Sequence, residues 1–298
     1  VNVYKLSVDD WTEKPLDREV FEVDTGRQAP WYVNNEKGGF SCFAVCPGCD
    51  NPIQIIGFYH QAKNTDTPYA RHYPRTVPRL AVYQQDSYDY CPYAGSKRYD
   101  KAARRALSDP LADKILGILV PNFDRVIYIL EKVTGLKITD SLARVLLEDY
   151  RDLEGHRYIG ATLQNIPWIF AYMTNSKSLT GRIVTGDDEL LQAVENTVSD
   201  VVLNGKQITP KQGVYVKLDF CFIHHRSAKN EDGGLKETMV MQVSYNKPAN
   251  VIYQKTIEFD RDWFMRLIRT SPERAVRPRK ATLVALAEQI LGVREYTN

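Results

Sequence analysis

The chain has 298 residues, 43% of them hydrophobic and 26% charged, with a formal net charge of +2. That length supports one large core or two modest ones, and the composition is that of an ordinary folded protein rather than a disordered or fibrous one. The near-neutral balance excludes a global field for nucleic acid or membrane, so any such partner must be met by local patches.

No apolar run approaches the ~18 residues needed to span a bilayer. Val1 to Asp10 carry no charged-then-apolar leader, so a cytoplasmic protein with no membrane contact is expected.

Residues 1 to about 97 are rich in Pro, Gly and Tyr and show little helical periodicity. Strands are predicted at Val20 to Val23, Trp31 to Val33, Phe40 to Val45, Pro52 to Tyr59 and Arg79 to Tyr83. Long aliphatic segments are scarce here, so the region has a thin core of its own.

From Arg98 the pattern turns helical. Asp109-Pro110 reads as an N-cap followed by Pro at the first helical position, with Ile115, Leu116, Leu119 and Val120 as the apolar face. A second helix starts near Phe123 and stops at Gly135, and a third is capped by Thr139. A fourth is predicted over Leu163 to Met173 with a kink at Pro167. Short links between these helices predict an antiparallel bundle over 98–180.

In residues 181–298 the sequence predicts a helix from Asp187 to Leu203 and alternating strands at Val214 to His224, Glu237 to Tyr245 and Val251 to Phe259. The loop Ser227 to Leu235, with Gly233-Gly234, would join the first two strands as a hairpin. Helices at Arg261 to Thr270 and Thr282 to Leu291 close the region. The fold class read from this order is α+β: a zinc-stapled, strand-rich region (1–97), a central helical bundle (98–180), and a C-terminal antiparallel sheet with helices (181–298).

The sharpest chemical signal is Cys46-Pro47-Gly48-Cys49, two thiols on one tight turn between strands. Such a knuckle supplies half of a tetrahedral zinc site. The chain offers His60, His72 and Cys91 for the other half. Cys91-Pro92-Tyr93 echoes Cys46-Pro47-Gly48, and His72 sits in the rigid segment Pro68 to Pro74. The expected set is Cys46, Cys49, His72 and Cys91, with zinc as cofactor and a closed, structural site. Clustering of four of the five cysteines between Cys42 and Cys91 favours a metal over cystines in a reducing compartment.

The arrangement over about residues 40–75 resembles the N-terminal zinc-ribbon-like segment of competence-protein CoiA-type nucleases and related mobile-element or defence proteins. There a CPxC knuckle precedes a short strand and a His-aromatic-small-His element. Cys46 and Cys49 match the knuckle and His72 the second histidine; Tyr69 stands in place of the first, which gives Cys91 its importance. The resemblance implies a place in a mobile-element or defence pathway.

Cys42 opens another alternative. Cys42 to Cys49 has CxxxCxxC spacing similar to radical SAM enzymes, whose three thiolates hold an iron–sulfur cluster. Gly48 replaces the usual aromatic, and no Gly-Gly-Glu-like segment follows. A metal-dependent nuclease would instead use Asp219 and Glu237 on two arms of a hairpin. No catalytic residue is assigned.

Basic residues cluster three times. Arg71, Arg75 and Arg79 alternate with Tyr69, Tyr73 and Tyr83; Lys97, Arg98, Lys101, Arg104 and Arg105 follow; Arg266, Arg269, Arg274, Arg277, Arg279 and Lys280 lie near the C-terminus. Cations interleaved with aromatics suit phosphate neutralisation and base stacking. The first two clusters are the expected contacts to DNA or RNA, which makes a zinc-containing nucleic-acid-binding protein the leading expectation. A zinc-stapled subunit that meets other proteins through its tyrosines is the remaining alternative.

Overall fold

The computed structural model describes residues 1–10, 12–35, 38–60, 67–229, 234–270 and 278–292. The chain divides into two compact units, one comprising residues 1–97 and 227–236, the other 98–226 and 237–298.

The first unit opens with the short paired strands β1 (Val3–Tyr4) and β2 (Lys14–Pro15), followed by helix α1 (Arg18–Thr25). An antiparallel sheet then runs in the order β3 (Tyr32–Asn34), β4 (Phe40–Val45), β5 (Pro52–Ile56) and β6 (Tyr69–His72). Because side chains alternate along each strand, the sheet has two different faces. One carries Cys42, Ala44, Ile53, Ile55 and Ala70 into a cluster with Tyr4, Phe21 and Phe58. The other carries Phe43 and Val45 against Val77, Leu80 and Ala81. Both clusters are small. Helix α2 (Gln85–Asp89), a single 3-10 turn at Pro92–Ala94 and the short strand β7 (Lys97–Arg98) lead to the boundary.

The second unit contains α3 (Pro110–Leu119), α4 (Phe123–Thr134), α5 (Asp140–Asp152), α6 (Ile166–Tyr172), β8 (Lys177–Ser178) and α7 (Asp188–Thr197). After them come β9 (Val201–Asn204), β10 (Gln207–Pro210), β11 (Leu218–Lys229), β12 (Leu235–Tyr245), β13 (Val251–Glu258), α8 (Arg261–Arg269) and α9 (Ala281–Leu291), the end of β11 and the start of β12 belonging to the first unit. In the main sheet β12 lies between β11 and β13, and β8 pairs with β11. One large hydrophobic cluster takes side chains from α3 to α9 and from this sheet. The segments 98–180 and 181–298, expected as separate regions, therefore share one core. The fold is α+β, with a C-terminal antiparallel sheet packed with helices.

Caps sit where local chemistry puts them. Asp109 accepts from Leu111 N with Pro110 in the first turn, Thr139 accepts from Leu142 N, and Gly135 ends α4 with φ +70°. Gly135 is also required sterically, because a Cβ there would stand 2.7 Å from Asp187 Cβ.

Several expectations are corrected. Val20 to Val23 lie in α1: Asp17 caps its first turn by accepting from Val20 N, and Gly26 terminates it in the left-handed region. These end signals override the β propensity of Val20, Phe21 and Val23, the last of which is 83% exposed. Between Arg79 and Tyr83 there is no strand, only a bridge between Val77 and Ala81. Strand β5 stops at Ile56, before Gly57 at φ +95°. Pro167 occupies the first turn of α6, where its missing N–H costs nothing, so that helix starts there instead of bending. The helix expected to reach Leu203 ends at Thr197, and Val201–Asn204 pair with Gln207–Pro210 as a hairpin. Gly233, Glu273, Arg274 and Arg277 lie outside the described residues.

Candidate metal centre

Strand β4 runs directly into the knuckle. Asp50 N donates to Cys46 O at 3.0 Å and Cys46 N to Asn51 O at 2.8 Å, closing a turn in which Asp50 takes φ +57°. Gly48 is needed between the thiols because a Cβ would lie 2.9 Å from Tyr93 Cδ2 and 3.1 Å from Pro92 Cδ. The same two residues follow Cys91, so the close approach at Gly48 seats the second arm of the site on the first.

Strand β6 pairs with β5 so that His72 lies beside Ile53 and ends at the knuckle side of the sheet. Its ring packs edge-on against Tyr88 of α2 with centroids 5.0 Å apart. Helix α2 delivers Cys91. Asn51, fully buried, locks that helix to the knuckle: its Nδ2 donates to Gln84 O at 3.0 Å and lies 3.4 Å from Cys49 Sγ, while its Oδ1 accepts from Gln84 N at 2.6 Å. Lys5, 1% exposed, reaches Asp50 Oδ1 at 2.5 Å and ties the N-terminal segment to the same turn. Sequence reasoning missed Asn51 and Lys5; the position of Asn51 two residues after the second cysteine was the available signal.

The donor atoms of Cys46, Cys49, His72 and Cys91 all lie within 4.8 Å of one another. Cys46 Sγ is 3.6 Å from Cys91 Sγ, and His72 Nε2 is 3.4 Å from both Cys49 Sγ and Cys91 Sγ. Around a zinc ion with Zn–S about 2.3 Å and Zn–N about 2.0 Å, tetrahedral edges are about 3.8 Å for S–S and about 3.5 Å for S–N. The donor set and its spacing therefore fit a tetrahedral, soft-ligand cation.

The electrostatics agree. Burial, reinforced by the neighbouring sulfurs, pushes the Cys46 thiol well up, and burial does the same to Cys91. Burial opposes ionisation at Cys49 too, but hydrogen bonds from Cys46, Cys91 and His72 outweigh it and hold this thiol well below its ordinary value. Two of the three sulfurs thus resist ionisation on their own, and a dication would stabilise all three as thiolates.

The four donors are buried or half-buried, and no carboxylate joins them among the described residues. Asp86 and Asp89 lie outside the group. So do His60, which is exposed, and Cys42, whose thiol burial pushes up to about 11. Cys42 stands between Tyr32 and Ile55 in the sheet, so Cys42, Cys46 and Cys49 do not form a three-thiolate cluster site.

The basic residues divide. Arg71, Arg75 and Arg79 are exposed, and among the described residues Arg71 donates only to Gln54. Arg98 is exposed, whereas Lys97 donates to Asp89 O. Lys101 donates to Thr174 O and lies over the Tyr172 ring; Arg104 donates to Leu153, Lys101 and Ala103 carbonyls. Arg105 is 6% exposed and serves Ile159 O and Ala161 O. These last three are half-buried or buried and donate to backbone carbonyls, so they are held within the fold rather than presented as a free cationic surface. Arg279 and Lys280 are likewise engaged, by Asp124 and Asp140.

The paired-carboxylate arrangement is also corrected. Glu237 is 2% exposed, with Oε1 3.0 Å from Asn165 Nδ2 and 3.3 Å from His225 Nε2, and forms no metal group with Asp219. No helix among the described residues is long and apolar enough to cross a membrane. Compared with family models, curated proteins and solved structures, the chain matches none.

Proposed function

We propose that Cys46, Cys49, His72 and Cys91 hold a structural zinc that folds the N-terminal unit, and that this unit binds nucleic acid. The observation that carries the metal assignment is the near-tetrahedral spacing of three sulfurs and one imidazole nitrogen. All four positions are filled by protein donors, which is the closed arrangement of a structural site rather than the open one of a catalytic zinc. With only small apolar clusters around it, the unit would draw folding free energy from the metal.

Support for nucleic acid comes from Arg71, Arg75 and Arg79, exposed in the segment that delivers His72 and without an ion-pair partner among the described residues. The resemblance of residues 40–75 to CoiA-type proteins adds a mobile-element or defence pathway to the proposal.

The test is a salt series with DNA and RNA probes on metal-loaded protein. Phosphate contacts release counterions, so affinity should fall steeply with salt, and Arg75→Ala with Arg79→Ala should lower the slope by about two. Absence of binding at low salt overturns the nucleic-acid reading and leaves the tyrosine-rich surface to a protein partner; a well-folded N-terminal unit without metal overturns the zinc reading.

A further inference from the structure

The β3–β6 sheet covers only part of its second face. Cross-strand register puts Val33 beside Ser41, Phe43 beside Gln54, Gln54 beside Arg71, and Ile56 beside Tyr69, so these side chains share that face. Toward the cysteine end the face is closed by Val77, Leu80 and Ala81 packing on Phe43 and Val45. Toward the other end Val33 is 39% and Tyr69 37% exposed, and Arg71 is exposed. A groove of about 570 Å³ lies there, with Phe40, Gln54, Ile56, His60, Tyr69 and Arg71 among its lining.

We infer that this groove seats the bases of single-stranded nucleic acid, with Tyr69 as the stacking platform and Arg71 as its neighbouring cation. The inference rests on the nucleic-acid reading above and assigns it a surface. Arg71 donates through Nε and Nη2 to Gln54 Oε1, at 3.3 and 2.9 Å. That pair fixes the plane of the guanidinium, and Nη1 has no hydrogen-bond partner among the described residues. Tyr69 lies two residues earlier on the same strand and face. A ring and a planar cation side by side suit an unpaired base and its phosphate.

Charge points to the same occupant. No carboxylate is found among the described lining residues, and Arg75 and Arg79 continue the positive charge beyond the strand. A duplex keeps its base faces stacked on one another, so it cannot offer them to Tyr69. Ile56, beside Tyr69 in the register and part of the lining, adds an apolar surface that suits a base better than a hydrated phosphate backbone alone.

The experiment measures binding of labelled oligothymidine, and of its duplex with oligoadenine, to the full metal-loaded chain, together with ultraviolet cross-linking mapped by mass spectrometry. Single strands should bind more tightly than the duplex and cross-link at Tyr69. Tyr69→Ala should weaken binding about tenfold, as expected for one stacked base, while Tyr69→Phe retains it. Tyr215→Ala, at an 87% exposed tyrosine in the other unit, should leave it unchanged. Single-strand binding that survives Tyr69→Ala and cross-links elsewhere would overturn the groove while leaving the nucleic-acid reading in place. Equal affinity for the duplex would overturn the single-strand assignment, and no binding of either probe would overturn both readings together.

Discussion

Asn51 and Gln84 are joined by two hydrogen bonds, Gln84 N to Asn51 Oδ1 at 2.6 Å and Asn51 Nδ2 to Gln84 O at 3.0 Å. Through this one side chain the cysteine knuckle is bound to the start of the helix that delivers Cys91. The same Nδ2 faces Cys49 Sγ at 3.4 Å. Asn51 is thus a positioning residue for two of the four proposed ligands, and partners of this kind are worth roughly 10–100-fold in metal affinity.

Asn51→Ala is therefore expected to lower zinc affinity about tenfold or more without removing a ligand. Competition with a chromogenic chelator measures it. Unchanged affinity would mean that the link between knuckle and helix does not position the donors.

Gly48→Ala should act on the same site by crowding. The added methyl would meet Tyr93 and Pro92, and either the knuckle or the Cys91 turn must shift. Weaker zinc binding in chelator competition is expected, with the second unit unaffected in its thermal unfolding. A Gly48→Ala protein with wild-type zinc affinity would show that the close approach is not what seats Cys91.

Cys49→Ser should release the metal and loosen residues 40–95 while the helices α3 to α6 stay protected. Hydrogen exchange resolved by segment reads both at once. Loss of protection throughout the chain, or nowhere, would contradict a staple confined to the first unit.

In the second unit, Asp187 caps α7 by accepting from Leu190 N, and it also accepts from Tyr253 and pairs with Lys255. Burial alone would raise its pKa, but these three partners outweigh burial and hold it below the usual carboxylate value. A depressed folded-state pKa contributes stability above the unfolded value that is lost as pH falls through the folded one. Asp187→Ala should cost about 1–2 kcal/mol near neutral pH, and the difference from wild type should shrink below about pH 4 in urea titrations. A difference independent of pH would contradict the role of its charge.

Glu237→Ala should destabilise the second unit by about 3 kcal/mol, because it strips the buried His225 and Asn165 of a shared partner. His225 is held in place by the Tyr158 hydroxyl at 3.0 Å and by stacking between Tyr99 and Phe259. Denaturant unfolding gives the cost, and metal content should not change. A mild effect on stability would reopen a catalytic use of Glu237.

Much of this was legible where local signals dominate. The knuckle at Cys46 and Cys49, the caps at Asp109 and Thr139, and the stop at Gly135 all rest on chemistry within a few residues. The remote members of the metal group, His72 and Cys91, could be named from their flanking Pro and aromatic residues. Asn51 lies close to the knuckle, but its role rests on a bond spanning 33 positions, so its place two residues after Cys49 was the only local signal. Val20 to Val23 carry β propensity, but Asp17 and Gly26 at either end set a helix that this propensity alone does not reveal. Lys101, Arg104 and Arg105 differ from the expected cationic surface because a run of cations looks alike in sequence whether it faces solvent or the backbone carbonyls of the fold. Only the folded chain distinguishes those cases.

The most direct measurement is metal analysis of the purified chain combined with X-ray absorption at the zinc edge. The account predicts one zinc per chain with about three sulfur neighbours near 2.3 Å and one nitrogen near 2.0 Å, lost in Cys49→Ser. Stoichiometric iron, a zinc shell without sulfur, or undiminished metal in Cys49→Ser would contradict it.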